Sequence, residues 1–285
     1  MNMEKPVSAF EESGEGTQEA GQGSTVPPGQ HFRIVLIGHN GKMGRMLRDR
    51  LHQAGHSVLG IDRVLRDGTP VMDEEAMASA VAQGDIILLS VPVTALEALM
   101  GMLGPMLKSE QLLMDITSVK VFPMQWMERE HPGPVIGSHP LFGPSPMPEQ
   151  LRVILVAGKN AENRHCAMAQ MLYESMGCSV EWASAREHDA GVALSQSLNF
   201  AVSASFFSSL AENPDVRRFL TPSFTRHLEA ARKHLTVDTE MFCEFTAYNP
   251  CFDEAVERFL RIMGTAADGK LREIAVGASR WYNGG

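Results

Sequence analysis

The segment from Phe32 to Asp62 constrains the fold more than any other part of the chain. Arg33-Ile34-Val35-Leu36-Ile37 is an apolar, β-branched run that ends at Gly38, the pattern of a buried parallel strand. Gly38-His39-Asn40-Gly41-Lys42-Met43-Gly44 follows at once. A helical pattern then runs from Lys42 to Ala54 and stops at Gly55. Ser57 to Ile61 reads as a second strand that ends at Asp62. A glycine triplet between a strand and a helix is a dinucleotide fingerprint. Gly38 permits the tight turn, Gly41 lets a pyrophosphate approach the backbone, and Gly44 lets the helix pack close to the strand. Asn40, Lys42 and Met43 complete the turn, where the helix N-terminus offers free N–H groups and the positive end of its dipole. Asp62, 18 residues beyond Gly44, can accept hydrogen bonds from an adenosine ribose and repels a 2′-phosphate, which favours NAD. Arg63 beside it can hold that phosphate, so NADP stays as the second option.

The rest of the chain extends this pattern. Asp85 to Val91, Leu112 to Ile116, Val135 to Gly137 and Val153 to Val156 read as further strands, and a helix is predicted from about Glu162 to Met176. Strands alternating with helices imply right-handed βαβ units and an α/β fold with a Rossmann-type, doubly wound, mostly parallel sheet. After about Arg186 the strands stop. Ala190 to Leu210 reads as one buried helix, and Arg217 to Lys233 and Asp253 to Met263 as two more. Ala255, Val256, Phe259, Leu260 and Met263 share one face of the last. Three parts are expected. Residues 1–30 form a polar, acidic tail with too little apolar surface to offset its ordering entropy. Residues 31–184 form a dinucleotide-binding domain, and 185–285 an all-helical substrate and dimerisation domain whose apolar surface invites a second copy.

Composition excludes other classes. A chain that is 44% hydrophobic and 21% charged is no collagen, coiled coil or wholly disordered polymer. A net charge of -9 argues against a nucleic-acid partner. Cys166, Cys178, Cys243 and Cys251 form no C-x-x-C pair, so neither a zinc knuckle nor a redox dithiol is predicted, and reduced thiols in the cytoplasm are expected. No metal site is expected. No apolar run reaches 18 residues, and the start lacks a secretory signal, so no membrane span is predicted.

Chemistry is expected at the strand ends. Ser90-Val91-Pro92 closes a strand on the edge that faces the cofactor in a doubly wound sheet. Asp115-Ile116-Thr117-Ser118-Val119-Lys120 closes another. Gly137-Ser138-His139-Pro140-Leu141-Phe142-Gly143-Pro144 places a histidine between a short strand and a Pro/Gly-rich loop. An imidazole with an ordinary pKa of about 6.5 suits the removal of a hydroxyl proton as hydride leaves the same carbon. Ser118 offers a hydroxyl to orient that imidazole or the substrate.

These strings, with Glu187-His188-Asp189 and Phe224-Thr225-Arg226, resemble the prephenate dehydrogenase family from about Phe32 to the C-terminus. The resemblance implies a nucleotide-binding domain followed by a helical dimerisation domain. It implies NAD-dependent oxidative decarboxylation of prephenate to 4-hydroxyphenylpyruvate, the tyrosine precursor, by a cytosolic homodimer. It implies that His139 takes the hydroxyl proton, that Ser118 contacts both the histidine and the reacting hydroxyl, that Arg226 binds a substrate carboxylate, and that His188 is a second pocket histidine. The chain departs from the pattern at Ala193-Leu194-Ser195-Gln196-Ser197-Leu198, where many relatives carry a histidine-containing string. Neither a chorismate mutase segment in front nor a C-terminal regulatory domain is expected. Arogenate and 4-amino-4-deoxyprephenate are the alternative substrates on the same scaffold. A β-hydroxyacid dehydrogenase or imine reductase is a more distant option, and a non-catalytic nucleotide sensor is the reading from another class.

Overall fold

The computed structural model describes residues 31–62 and 74–284. The expectations for the tail and for Arg63 lie outside them. Within 31–62 the chain forms β1 (Arg33–Ile37), α1 (Lys42–Gln53) and β2 (Ser57–Ile61), as the fingerprint predicts. It continues through α2 (Glu74–Val81), β3 (Ile86–Leu89), α3 (Val93–Leu103), β4 (Leu112–Asp115), α4 (Val121–Glu130), β5 (Val135–Pro140), β6 (Arg152–Ala157), α5 (Asn163–Ser175) and β7 (Ser179–Trp182). These strands make a seven-stranded sheet of order β2-β1-β3-β4-β5-β6-β7. The order reverses direction at β1, which puts a crevice at the strand ends beside the glycine turn. Every pairing is parallel except β5 with β6.

The sheet is buried on both faces, which is why its central strands are apolar throughout. Val35, Ile37, Ile87, Leu89 and Leu113 point into a core with α3 and α4. Ile34, Leu36, Ile86, Leu88 and Leu112 point into a second core with α1 and α5. Truncating a side chain such as Leu47, sealed beneath α1, would cost about 2–5 kcal/mol.

Two strands differ from their predicted form. β5 does not stop at Gly137 but runs on to Pro140, because Pro140, His139 and Ser138 pair with Val153, Ile154 and Leu155 of β6. His139 therefore sits within the sheet and not in a loop. β7 was not apparent, because Ser179–Trp182 is short and largely exposed. It forms because β6 supplies a parallel partner.

Beyond β7 the chain is helical: α6 (Ala185–Val192), α7 (Asn199–Ala211), α8 (Pro222–Thr236), α9 (Thr239–Ala247), α10 (Phe252–Thr265) and α11 (Leu271–Tyr282). The single buried helix predicted over 190–210 is a correction. A π-helical stretch, Ala193–Leu198, separates α6 from α7, and only Phe200 and Ser203 of α7 are buried. The helix predicted from Arg217 begins later, after the 3-10 turn Pro214–Phe219, at Pro222 behind a Thr221 cap. Of the apolar face on α10, Ala255 is buried but Leu260 and Met263 are exposed. The helices share a core with the sheet, since Val192 and Phe245 pack among Val35, Leu89 and Trp126. Among the described residues, no helix is long and apolar enough to cross a membrane.

Candidate active site

The glycine turn has the geometry a dinucleotide cradle needs. Gly38 has φ +88°, and a Cβ there would lie 2.2 Å from the Ser90 carbonyl oxygen. Both facts exclude other residues at the crossing of β1 and β3. At Gly44 a Cβ would lie 2.2 Å from the Gly38 oxygen, so the helix can start this close to the strand only with glycine. Gly41 caps α1 without a side chain, leaving the N-terminus of the helix uncovered. Asp62 Oδ2 accepts the Asn40 N–H at 2.9 Å, and Arg45 donates to the Asn40 carbonyl at 2.8 Å, so the turn is clipped from both sides. Lys42 is exposed and Met43 half-buried at the first turn of α1. On the neighbouring strand, the Ser90 N–H donates to Ile37 at 2.8 Å, Val91 packs on the core, and Pro92 caps α3. Strand terminator and loop shaper are thus one role for Pro92.

His139 is 4% exposed, and its Nδ1 lies 2.9 Å from Nε2 of His188. His188 Nδ1 in turn lies 2.8 Å from Oδ1 of Asp189. Asp189 also accepts the backbone N–H groups of Lys120 (2.7 Å) and Val121 (2.8 Å). Local sequence sets up this arrangement. Ser184 and Glu187 form a reciprocal capping box that starts α6. His188 and Asp189 then fall on the buried side of the first turns. Asn249 donates to the Asp189 carbonyl at 2.9 Å and ties the helix down.

The donors fix the tautomers. A carboxylate only accepts, so His188 Nδ1 carries the proton it shares with Asp189. In the neutral imidazole, His188 Nε2 then accepts, His139 Nδ1 donates, and the lone pair of His139 is left on Nε2. Burial holds the His139 imidazole well below its ordinary range, with smaller contributions from His188 and Lys120. It is therefore neutral at pH 7, as a proton acceptor must be.

Beneath this chain lies a second buried polar group. Lys120 Nζ meets both Asp115 oxygens, at 2.7 and 2.6 Å, with neither side chain exposed. Thr117 donates its N–H and its hydroxyl to Asp115. Removing one partner of such a pair typically costs about 3–5 kcal/mol.

The site residues expected from sequence are therefore brought together unevenly. His139 and His188 are in contact. His188, however, has both ring nitrogens engaged and a side chain only 1% exposed. It stands behind His139, with both ring nitrogens turned to His139 and Asp189. Ser118 is half-buried in the loop between β4 and α4. Among the described residues, the hydrogen bond that orients His139 comes from His188 and not from Ser118. Arg226 is exposed on α8. Lys233, seven residues along the same helix, lines a cavity of about 700 Å³ with Leu141, Phe142 and Gly143 of the loop that follows His139. A second cavity, of about 580 Å³ between α7 and α8, shares no lining residue with the histidine chain. Sequence reasoning quoted Asp115, Lys120 and Asp189 within its motifs but gave them no role. The available signal was charge inside strings that otherwise read as buried.

Comparison with known proteins agrees with the fold. The family model for the prephenate dehydrogenase nucleotide-binding domain matches residues 46–181. The T-protein of Enterobacter agglomerans is 26% identical over 239 residues, covering 82% of this chain and 61% of that protein. A probable arogenate/prephenate dehydrogenase of Methanocaldococcus jannaschii is 26% identical over 246 residues, covering 81% and 55%. The chain thus spans under two thirds of the length of these relatives. Among solved structures, prephenate dehydrogenase from A. aeolicus in complex with hydroxyphenyl propionate and NAD+ superposes with a TM-score of 0.74 at 18% identity, covering 90% of this chain and 96% of that one. Synechocystis arogenate dehydrogenase gives 0.70 at 17%, covering 88% and 98%. At such identities the structures speak for the fold, while the family model and the curated relatives show that residues 46–181 are similar to the nucleotide-binding domain of prephenate and arogenate dehydrogenases.

Proposed function

We propose that the chain oxidises prephenate with loss of carbon dioxide, yielding 4-hydroxyphenylpyruvate for tyrosine synthesis, with NAD as the electron acceptor. The observation that carries this reading is the His139–His188–Asp189 chain, which leaves an unprotonated Nε2 on a neutral imidazole. NAD suits the cradle: Gly38, Gly41 and Gly44 make a turn that side chains would fill, α1 presents its N-terminus, and Asp62 stands at the end of β2. Asn40, Lys42, Met43, Ser90, Val91 and Pro92 border it. When bound, the nicotinamide supplies the hydride acceptor. The chain's own residues do the rest. His139 Nε2 takes the proton of the substrate hydroxyl as the carbinol C–H bond gives up its hydride. The C–C bond to the ring carboxylate then breaks, its electron pair enters the ring, and carbon dioxide departs. Aromatisation drives this step, so the protein's work is positioning and proton acceptance.

Ser118 contacts the reacting hydroxyl in this reading, and Arg226 meets a substrate carboxylate through charge-assisted hydrogen bonds. Residues 31–184 hold the nucleotide, while 185–285 complete the substrate site and pair with a second, cytoplasmic copy. The exposed apolar residues of α10 and α11, among them Leu260, Met263, Leu271 and Trp281, support that pairing. The test is NADH absorbance with prephenate and NAD, with arogenate and NADP run in parallel. Rapid NADH formation and 4-hydroxyphenylpyruvate are expected with prephenate. Turnover with arogenate alone would transfer the mechanism to that substrate. NAD binding without turnover of either would replace the enzyme with a sensor.

A further inference from the structure

The Asp115–Lys120 pair takes no part in the chemistry above, yet the groups that hold His139 converge on it. A lysine with no exposed side-chain surface is rare unless paired. Three separate contacts tie this one to His139. Its ammonium is locked onto Asp115 at the end of β4, the strand beside β5. Its backbone N–H donates to Asp189 and so fixes the carboxylate that orients His188 and, through it, His139. Its methylene stem runs across Gly137, two residues before His139 on the same strand face, where a Cβ would lie 2.8 Å from Lys120 Cδ. The glycine of the Gly-Ser-His string is thereby explained as room for Lys120.

We propose that Lys120 is a positioning residue for His139: its paired ammonium, its backbone N–H and its stem together set the ring and keep the Nε2 lone pair turned to the substrate. The proposal rests on the dehydrogenase reading for its functional meaning, though not for its test. The charged and titratable groups around His139 are Asp115 on β4, Lys120 before α4, and His188 and Asp189 on α6. The Lys120 charge opposes protonation of His139, in the same direction as burial. Removing the ammonium while Asp115 stays would favour the imidazolium.

The experiment is a titration of 15N-histidine-labelled full-length protein followed by NMR, with His139 identified by the signal lost in His139→Asn. In the wild type, His139 should carry its proton on Nδ1 and titrate below 6.5. In Lys120→Met the midpoint should rise by about one pH unit, and the acid limb of kcat should rise with it. Gly137→Ala crowds the stem, leaves every charge in place, and keeps the idea testable if Lys120→Met fails to fold. It should lower kcat by about tenfold or more with the KM for NAD and the acid limb unchanged. An unmoved midpoint in Lys120→Met, or wild-type kcat in Gly137→Ala, would overturn the role. The titration needs no substrate. Failure of the wild type to turn over prephenate or arogenate would therefore remove the dehydrogenase reading and leave the midpoint to judge Lys120.

Discussion

The sheet and the C-terminal helices solve the same burial problem in different ways. In the sheet, apolar strands are covered on both faces, and the buried charges Asp115, Lys120 and Asp189 are each met by named partners within a few residues or on an adjacent element. The last two helices instead leave large apolar side chains in solvent: Leu260 is 60% exposed, Leu271 64% and Trp281 78%. The sheet half is self-sufficient, and the helices keep an apolar surface in solvent. His139 lies in the self-sufficient half, and one helix, α6, reaches across to brace it through His188 and Asp189.

Substitutions can break or sharpen that contrast. The largest effect is expected from His139→Asn, which removes the proton acceptor and should cut kcat by about 10²–10⁴-fold in the NADH assay. Near-normal turnover would remove His139 from the mechanism. Asp189→Ala should come next. It orphans two buried backbone N–H groups and the His188 Nδ1–H, so a loss of about 2–4 kcal/mol is expected in denaturant unfolding. Arg226→Ala, on the exposed α8, should leave the fold intact and chiefly raise the KM for prephenate, by about tenfold or more. An unchanged KM would refute its carboxylate role.

The pH response should report on burial as well. His139, His56 and His131 are all held below the ordinary histidine range, chiefly by burial. In each case the unfolded chain binds protons more readily than the folded one. The stability this burial contributes is therefore complete above about pH 6.5 and is lost as the pH falls through the folded-state values. Thermal unfolding at pH 7.5 and at pH 5 should show the lower midpoint in acid, and kcat should fall over an acid range that begins below 6.5. The smallest effect on folding is expected from Leu260→Asp. An exposed position should change stability by no more than about 0.5 kcal/mol, while sedimentation velocity should show a dimer converted to monomer. A chain that sediments as a monomer before the change would remove the second copy from the proposal.

What could be read in advance follows the same division. β1, α1 and β2 were legible because a both-sides-buried strand, a glycine turn and an amphipathic helix each leave a local signature. β5 was legible only to Gly137. Gly-Ser-His-Pro looks like a loop, and its extension depends on Val153 to Leu155, a partner some fifteen residues away. The π stretch at Ala193–Leu198 was hidden because small residues suit an ordinary helix equally well. His139 stands out in the sequence through its Pro/Gly-rich string. That its orienting partner is His188 rather than Ser118 depends on how α6 packs against the sheet, and no spacing within either string reports that.

The polar chain behind His139 has one more property: it leads nowhere. Among the described residues, His188 and Asp189 are sealed, and beyond them lie backbone N–H groups, the buried Asn249 amide and the equally sealed Lys120. A proton taken up on the His139 ring has no rear exit to bulk water. In the proposed reaction it must therefore go back out through the nitrogen by which it arrived. In that reaction, recharging the base is chained to emptying the site.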